Sequence, residues 1–261
     1  MIPKRFVIDH SRAPRPRLSK APIIEAVIDI RVIPSKPWDA TNLLSTIKPR
    51  LPDYLKIEET REVKYQISSG KSLENNPKTE DLGCVGLRAQ SNDGSYITQF
   101  NKDSFVLSRV KTYDKWEPFC NEARKLWQLY CELLQPKQAI RIGVRFINRI
   151  PVAKDGLKFN SYYKSPQQPF TNLDLPLQGF MHHDVIQIPD SPYFVNLIKA
   201  VQPLVDPNMD KVGLIIDIDV FLQKMVDCKF ELIAEYLKDM RWIKNEMFFE
   251  SLTDYAIQNL R

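Results

Sequence analysis

Glycine is scarce, with eight residues in a chain of 261. A loop that cradles phosphate through its backbone needs several glycines at fixed spacing, and neither GxGxxG nor GxxxxGK[ST] occurs. Histidine is scarcer still, at three residues, and no HExxH, nucleophile elbow or kinase signature is present. The four cysteines, Cys84, Cys120, Cys131 and Cys228, form no CxxC pair. They read as reduced thiols of a cytoplasmic protein, neither a disulfide frame nor a zinc site. No stretch approaches the roughly 20 apolar residues of a membrane span, and no apolar segment near the start reads as a secretory signal. These absences exclude the common nucleotide, metalloprotease and hydrolase classes and lead us to expect no cofactor, no metal and no membrane contact.

Positive charge is present but unevenly placed. Residues 1–20 carry Lys4, Arg5, Arg12, Arg15, Arg17 and Lys20 against the single acid Asp9, which accounts for the whole net charge of +5. The rest of the chain therefore balances to zero, without the clustered basic residues of a nucleic-acid-binding body. The segment is also rich in proline, and reads as an extended basic arm, flexible or laid on a partner. A salt-sensitive nucleic-acid contact through residues 1–20 is one expectation for it; a solvated tail is the other.

The most informative stretch is Ala139–Pro151, AIRIGVRFINRIP. Side chains alternate between the faces of a strand, so Ile140, Ile142, Val144, Phe146, Asn148 and Ile150 pack on a core. The opposite face then carries Ala139, Arg141, Gly143, Arg145, Ile147 and Arg149, with Pro151 as the stop. Three aligned guanidinium forks suit carboxylate or phosphate. The competing reading is that they pair with acids on neighbouring strands.

The remaining elements follow from the same periodicities. Pro22–Ile33 reads as a strand with Ile24, Ala26, Ile28, Ile30 and Val32 inward and Glu25, Val27, Asp29 and Arg31 outward. Trp38–Leu51 reads as a short helix stopped by Pro52. Short strands are expected at Val63–Ser68, Cys84–Gln90, Ser95–Phe100 and Ser104–Lys111, with a polar loop through Asn75, Asn76 and Pro77. The turn Asn92-Asp93-Gly94 is a strong hairpin signal. Asp114 and Glu117 resemble a capping box before a helix whose apolar stripe is Phe119, Ala123, Leu126, Trp127, Tyr130 and Leu134. That stripe is core, not a cofactor site.

After Pro151 the pattern loosens. Eight of the nineteen prolines lie in Pro151–Pro207, including the clusters Pro166, Pro169, Pro176 and Pro189, Pro192. Long irregular segments are often functional. A strand at Phe180–Ile188 and a short helix or strand near Phe194–Val201 are expected within this region. Lys211–Leu222 is a clear strand, with Leu214, Ile216, Ile218 and Val220 inward and Asp217 and Asp219 outward. A helical region then fills Lys229–Leu260, with an irregularity near Asn245–Phe249.

The expected fold class is therefore α+β, built from two similar halves, each strand–helix–antiparallel meander–helix. The divisions are 1–20, the arm; 21–138, the first half; and 139–261, the second. The strands could join into one broad curved sheet with helices on one face.

The polar parity of these strands gathers Glu25, Asp29, Arg31, Arg141, Arg145, Arg149, Asp217 and Asp219. Asp217 and Asp219, two apart on a strand, could hold a divalent ion or act as an acid/base pair; the adjacent arginines favour ion pairing instead. His182-His183-Asp184 alternate between faces, so only His182 with Asp184 could share a metal.

KAPIIEAVIDIRV, IRIGVRFINRIP, LIIDIDVF and KNEMFFESLTDYA together resemble a sporadically distributed bacterial and archaeal protein family of about this length. The resemblance covers most of residues 20–261 and leaves the arm as an addition. It implies no particular activity, cofactor or catalytic residue. The patchy distribution implies genes that travel on mobile elements, with a role in phage defence or toxin–antitoxin pairing. The leading expectation is a non-catalytic protein that binds a protein partner or an anionic ligand through the mixed-charge sheet face and the proline-rich segment. The alternative is a metal-dependent nuclease- or phosphotransfer-like enzyme using Asp217 and Asp219. A homodimer is also possible, since open sheet edges invite pairing.

Overall fold

The computed structural model describes residues 6–66, 78–111, 113–154, 158–165, 175, 177–203 and 210–261. It is an α+β architecture with a nine-stranded antiparallel sheet. The strands are β1 (Ile23–Ile33), β2 (Lys56–Gln66), β3 (Lys78–Gln90), β4 (Tyr96–Asn101), β5 (Ser104–Arg109), β6 (Gln138–Ala153), β7 (Met181–Gln187), β8 (Tyr193–Pro203) and β9 (Lys211–Leu222). The helices are α1 (Ala40–Ile47), α2 (Trp116–Leu134), α3 (Phe230–Ser251) and α4 (Asp254–Asn259). The strand order is β2-β3-β4-β5-β1-β6-β9-β8-β7, which places β1 beside β6 at the centre. No described helix is long and apolar enough to cross a membrane.

Alternation along the central strands sets the core. Ala26, Ile28 and Ile30 of β1, Ile142, Val144 and Phe146 of β6, and Leu214, Ile216, Ile218 and Val220 of β9 are all fully buried. These strands bury a common parity because their register pairs Ile28 with Val144 and Val144 with Val220. The aromatic stripe of α2 meets the same surface: Trp127 and Tyr130 lie 5.7 and 5.9 Å from the Phe105 ring of β5. From α3, the Lys244 ammonium sits 3.9 Å from the centroid of the Phe146 ring.

Several boundaries differ from the sequence reading for identifiable reasons. Ile140 is 38% exposed whereas Ala139 is fully buried, the reverse of strict alternation. A bulge between Arg31 and Val32 shifts the register, so Arg141 faces Arg31 but Ala139 faces Val32, leaving Ile140 as the extra residue. Pro151 does not end β6, which continues to Ala153 opposite Lys211. The amide of Arg149 donates to Pro22 on the β1 side at 2.8 Å. The nitrogen of Pro151, two residues on, lies along that same edge where β1 has ended, so no ladder bond is lost.

Helix α1 is shorter than Trp38–Leu51: Asp39 caps it by accepting from the Asn42 amide, and it tightens into a 3-10 turn over Lys48–Arg50. Pro49 has no N–H to continue the α-helical ladder. The capping box at Asp114 is absent; α2 begins at Trp116, Lys115 supplies no side-chain cap, and Asp114 pairs with Arg17 instead. Helix α3 runs unbroken through 245–249, and the break falls at Leu252–Thr253, where the Thr253 hydroxyl accepts from the Ala256 amide to start α4. The strand expected at Val63–Ser68 begins earlier, at Lys56, and that at Cys84–Gln90 begins at Lys78. The Phe194–Val201 segment is the strand β8. Asn75, Asn76, Pro77, Pro166, Pro169, Pro176 and Pro207 lie outside the described residues.

The hairpin turn is as expected. Gly94 adopts φ 66°, open to glycine without strain, and Asp93 accepts from the Ser95 amide at 2.9 Å. The basic arm, over residues 6–20, lies against its own chain. Phe6 packs on Trp242 at 5.5 Å, and Arg15 bridges Glu246 and Glu250 of α3 at 2.7 and 2.9 Å.

Candidate functional site

The outward parity of the three central strands carries the polar residues picked out in the sequence. Antiparallel register turns them into rows. Arg141 faces Arg31; Gly143 lies between Asp29 and Phe221; Arg145 lies between Val27 and Asp219; Ile147 lies between Glu25 and Asp217. Arg149 faces Ile215 of β9, and Pro151, two residues on, faces Gly213.

Two of the three arginines lean forward along β6 to reach acids beyond their own row. Arg141 faces the like charge of Arg31 and lies instead over Gly143. A Cβ at that glycine would come within 2.7 Å of a guanidinium nitrogen, so the missing side chain makes room for the arginine. From there Arg141 donates to Asp29 on one side and to Asp219 at 3.0 Å on the other. Its guanidinium also stacks 4.8 Å from the Phe221 ring centroid. Charge, fork geometry and a flat aromatic surface together fix a side chain that is only 14% exposed.

Arg145 leans in the same direction and grips Asp217 with two bonds, at 2.8 and 2.5 Å. Asp217 is nearly buried whereas Arg145 is 46% exposed, so solvent reaches the face here. The Asp217 carboxylate, with Asp219 and Glu25 adding their charges, holds the arginine above its ordinary pKa. Glu25 acts on this site through its field; among the described residues Arg145 donates no hydrogen bond to it.

Asp29 departs from the usual behaviour of a paired acid. Burial pushes its pKa up more strongly than Arg141 and Arg31 pull it down. Its second oxygen, Oδ1, is buried without a hydrogen-bond partner. Folding thus favours the protonated form of this carboxyl. Its contribution to stability is greatest at acid pH and declines as pH rises through the carboxylate range.

Arg149 leans forward too, but meets no acid. Its partner is the neutral Gln202 amide oxygen of β8 at 3.3 Å, and its Nε is buried with no partner. The structure thus brings Asp29, Arg141, Arg145, Asp217 and Asp219 into one connected group and leaves Arg149 outside it. Asp217 and Asp219 share a face, yet each carboxylate is engaged by a different arginine. Among the described residues no group of three histidine, cysteine or acidic side chains is placed to hold a metal ion. His182 and Asp184 share a face of β7, while His183 points to the other and approaches Asn196 at 3.4 Å.

Sequence reasoning missed several participants. Asn196 donates to Asp219 at 3.3 Å, and Phe221 supplies the aromatic floor for Arg141. Phe221 shares the outward parity of Asp219, a signal that was legible. Asn196 is not recoverable without the β8–β9 register. On the opposite face of β6, Lys244 is 8% exposed, and burial with the nearby Arg241 charge lowers its pKa to about 7. No family model matches the chain, and no curated protein or solved structure matches it.

Proposed function

We propose that this is a non-catalytic binding protein that docks a protein partner on the mixed-charge face of its sheet. The observation that carries the reading is the engagement of Arg141 and Arg145 by Asp29, Asp217 and Asp219. At these carboxylates a metal ion would have to displace or repel the arginine charge already bound there, which makes them poor metal ligands and poor bases. A half-exposed Arg145 on the same face as Ile147, Phe221 and Phe194 offers the mixture of guanidinium and apolar surface that protein interfaces favour. The nuclease- or phosphotransfer-like alternative would require Asp217 and Asp219 to release their arginines.

The same reading includes the helices gathered on the opposite face, the division into halves at 138/139, and an origin of the halves as copies. Support comes from the strand order, in which β1 is followed outward by β5-β4-β3-β2 and β6 by β9-β8-β7. A cytoplasmic location, a mobile-element or defence setting, a homodimer and a role for the 152–210 segment in binding belong to the proposal as well. Nucleic-acid contact through the arm draws less support, since Arg12, Arg15 and Arg17 are each paired with an acid.

The test is cross-linking mass spectrometry on the protein expressed in its native cell, comparing the parent with Arg145→Glu and Ile147→Glu. Cross-links from β1, β6 and β9 to one partner, lost in both variants while circular dichroism is unchanged, are the expected result. Metal-dependent nucleic-acid cleavage that disappears in a folded Asp217→Asn/Asp219→Asn variant would overturn it.

A further inference from the structure

The sheet ends on two edge strands, β2 and β7. Strand β2 is guarded by a dense run of charges. Strand β7, with the sequence MHHDVIQ, carries one carboxylate and no lysine or arginine. Met181 and Val185 share one of its faces and are strongly exposed, and among the described residues no strand lies beyond them.

The backbone of β7 fixes which groups point outward. At one end the Phe180 carbonyl accepts from the Val201 amide at 3.1 Å; at the other the Ile188 amide donates to the Tyr193 carbonyl at 2.9 Å. The register with β8 is unbroken between them, so the peptide groups alternate in direction. His182, Asp184 and Ile186 turn their N–H and C=O groups toward β8. Met181, His183 and Val185 turn theirs away from the sheet, where the described residues offer them no backbone partner.

A second copy of the chain supplies those partners, and one register suits it best. Placed antiparallel with His183 opposite His183, β7 sets Met181 against the second copy's Val185 and His182 against its Asp184. Symmetry makes each of these pairs twice. The first joins two exposed apolar side chains, and the second sets an imidazole against a carboxylate. The outward peptide groups of residues 181, 183 and 185 then meet their counterparts as hydrogen-bonded pairs. Centring the register on Asp184 instead brings two carboxylates face to face and leaves Met181 against Gln187. Centring it on Val185 sets Asp184 against the apolar Ile186.

We propose that β7 is the dimerisation edge of this protein: two copies join β7 to β7 about a twofold axis at His183, forming one continuous sheet. This gives a surface and a register to the homodimer included in the reading above. It also runs the mixed-charge face of one copy into that of the other, because Val185 pairs with Asn196 and Asn196 with Asp219. It does not depend on a protein partner at Arg145, so the failure of either leaves the other standing.

The test is sedimentation equilibrium on the full chain, in reducing buffer, at concentrations up to about 1 mM. The parent dimerises. Val185→Lys puts a cation into each apolar pair, and His183→Pro removes the outward N–H at the centre while sparing the bonds to β8. Each weakens the dimer at least about 10-fold, whereas Arg145→Glu leaves it unchanged. Should His183→Pro fail to fold, Val185→Lys, at an exposed position, decides the matter. Cysteine cross-linking under mild oxidation reads the register, with the parent's native thiols as the control. His183→Cys sets the two Cα atoms about 5.5 Å apart, within disulfide reach, and links the dimer quickly. Asp184→Cys sets them diagonally, about 7–8 Å apart, and links it slowly. A parent that is monomeric at about 1 mM, a dimer unaffected by Val185→Lys, or faster linking through Asp184→Cys overturns the proposal.

Discussion

Arg141 and Arg149 are the same residue type on the same strand and the same face, eight positions apart. Both lean forward along β6. Arg141 finds Asp29 and Asp219 because β1 and β9 flank it on both sides at that point. Arg149 leans into a row where β1 has already ended and β9 offers Gly213, so only Gln202 of the next strand is in reach. Sequence periodicity makes the three arginines equivalent; the staggered ends of the strands do not. A ladder of like residues is thus divided by register into a structural part and a part with unspent charge.

The largest effect that separates the two ends is expected at Arg141. Arg141→Met leaves two part-buried carboxylates, one of which already has an unpartnered oxygen, and lowers unfolding free energy by about 3–5 kcal/mol in urea titration. A loss below about 1 kcal/mol would erase the distinction. Adding Asp29→Asn in the same background recovers part of the loss, a coupling that a double-mutant cycle measures.

Lys244 sharpens the comparison from the other face of β6. Its pKa, lowered to about 7 from 10.5, means that folding favours the neutral amine. The stability this confers is complete above about 10.5 and is lost as pH falls toward 7, the range over which the unfolded chain is protonated and the folded chain stays largely neutral. Lys244→Met is therefore expected to raise stability by up to a few kcal/mol near neutral pH. Thermal melts should show the variant's advantage over the parent growing as pH is lowered from 10 to 7.

Arg145→Met comes next, at about 1–2 kcal/mol. Asp217 is left without its partner, but the pair is open to water on the arginine side, which discounts the loss. Arg149→Met is the smallest, within about 0.5 kcal/mol of the parent, since no acid is abandoned. If calorimetry ranks Arg149 above Arg145, the division of the ladder fails.

The parity of β1, β6 and β9 was readable because one parity of each is almost wholly apolar while the charged residues recur on the other. So were the identities of Glu25, Asp29, the three arginines and both aspartates as one face. Which acid meets which arginine was not, because it depends on Gly143 giving Arg141 a place to lie and on the forward lean of the side chains. The swap of Ala139 and Ile140 was equally hidden, since a bulge leaves no mark in hydropathy. The proximity of Cys131 and Cys228 also escaped the spacing rule. These two thiols, 97 positions apart in sequence, interact closely enough to raise the Cys131 pKa and lower that of Cys228. The two edge strands differ in a way that only the strand order reveals. Strand β2 carries Lys56, Glu58, Glu59, Arg61 and Glu62, a charged edge that resists pairing with another chain, while β7 exposes Met181 and Val185 at 71% and 67%.

The arm laid on α3 has a consequence for how the chain is made. Residues 6–20 leave the ribosome long before Asp239, Glu246 and Glu250, the acids that anchor His10 and Arg15. Strand β1 likewise waits for β6 on one side, although β5 reaches it sooner. The earliest part of these residues to be synthesised is thus among the last to find its place. During that interval Arg15 has no acid to grip and Phe6 has no Trp242 to rest on. Closing so long a loop is slow relative to local hairpins, which places the clasp of the arm at the end of folding.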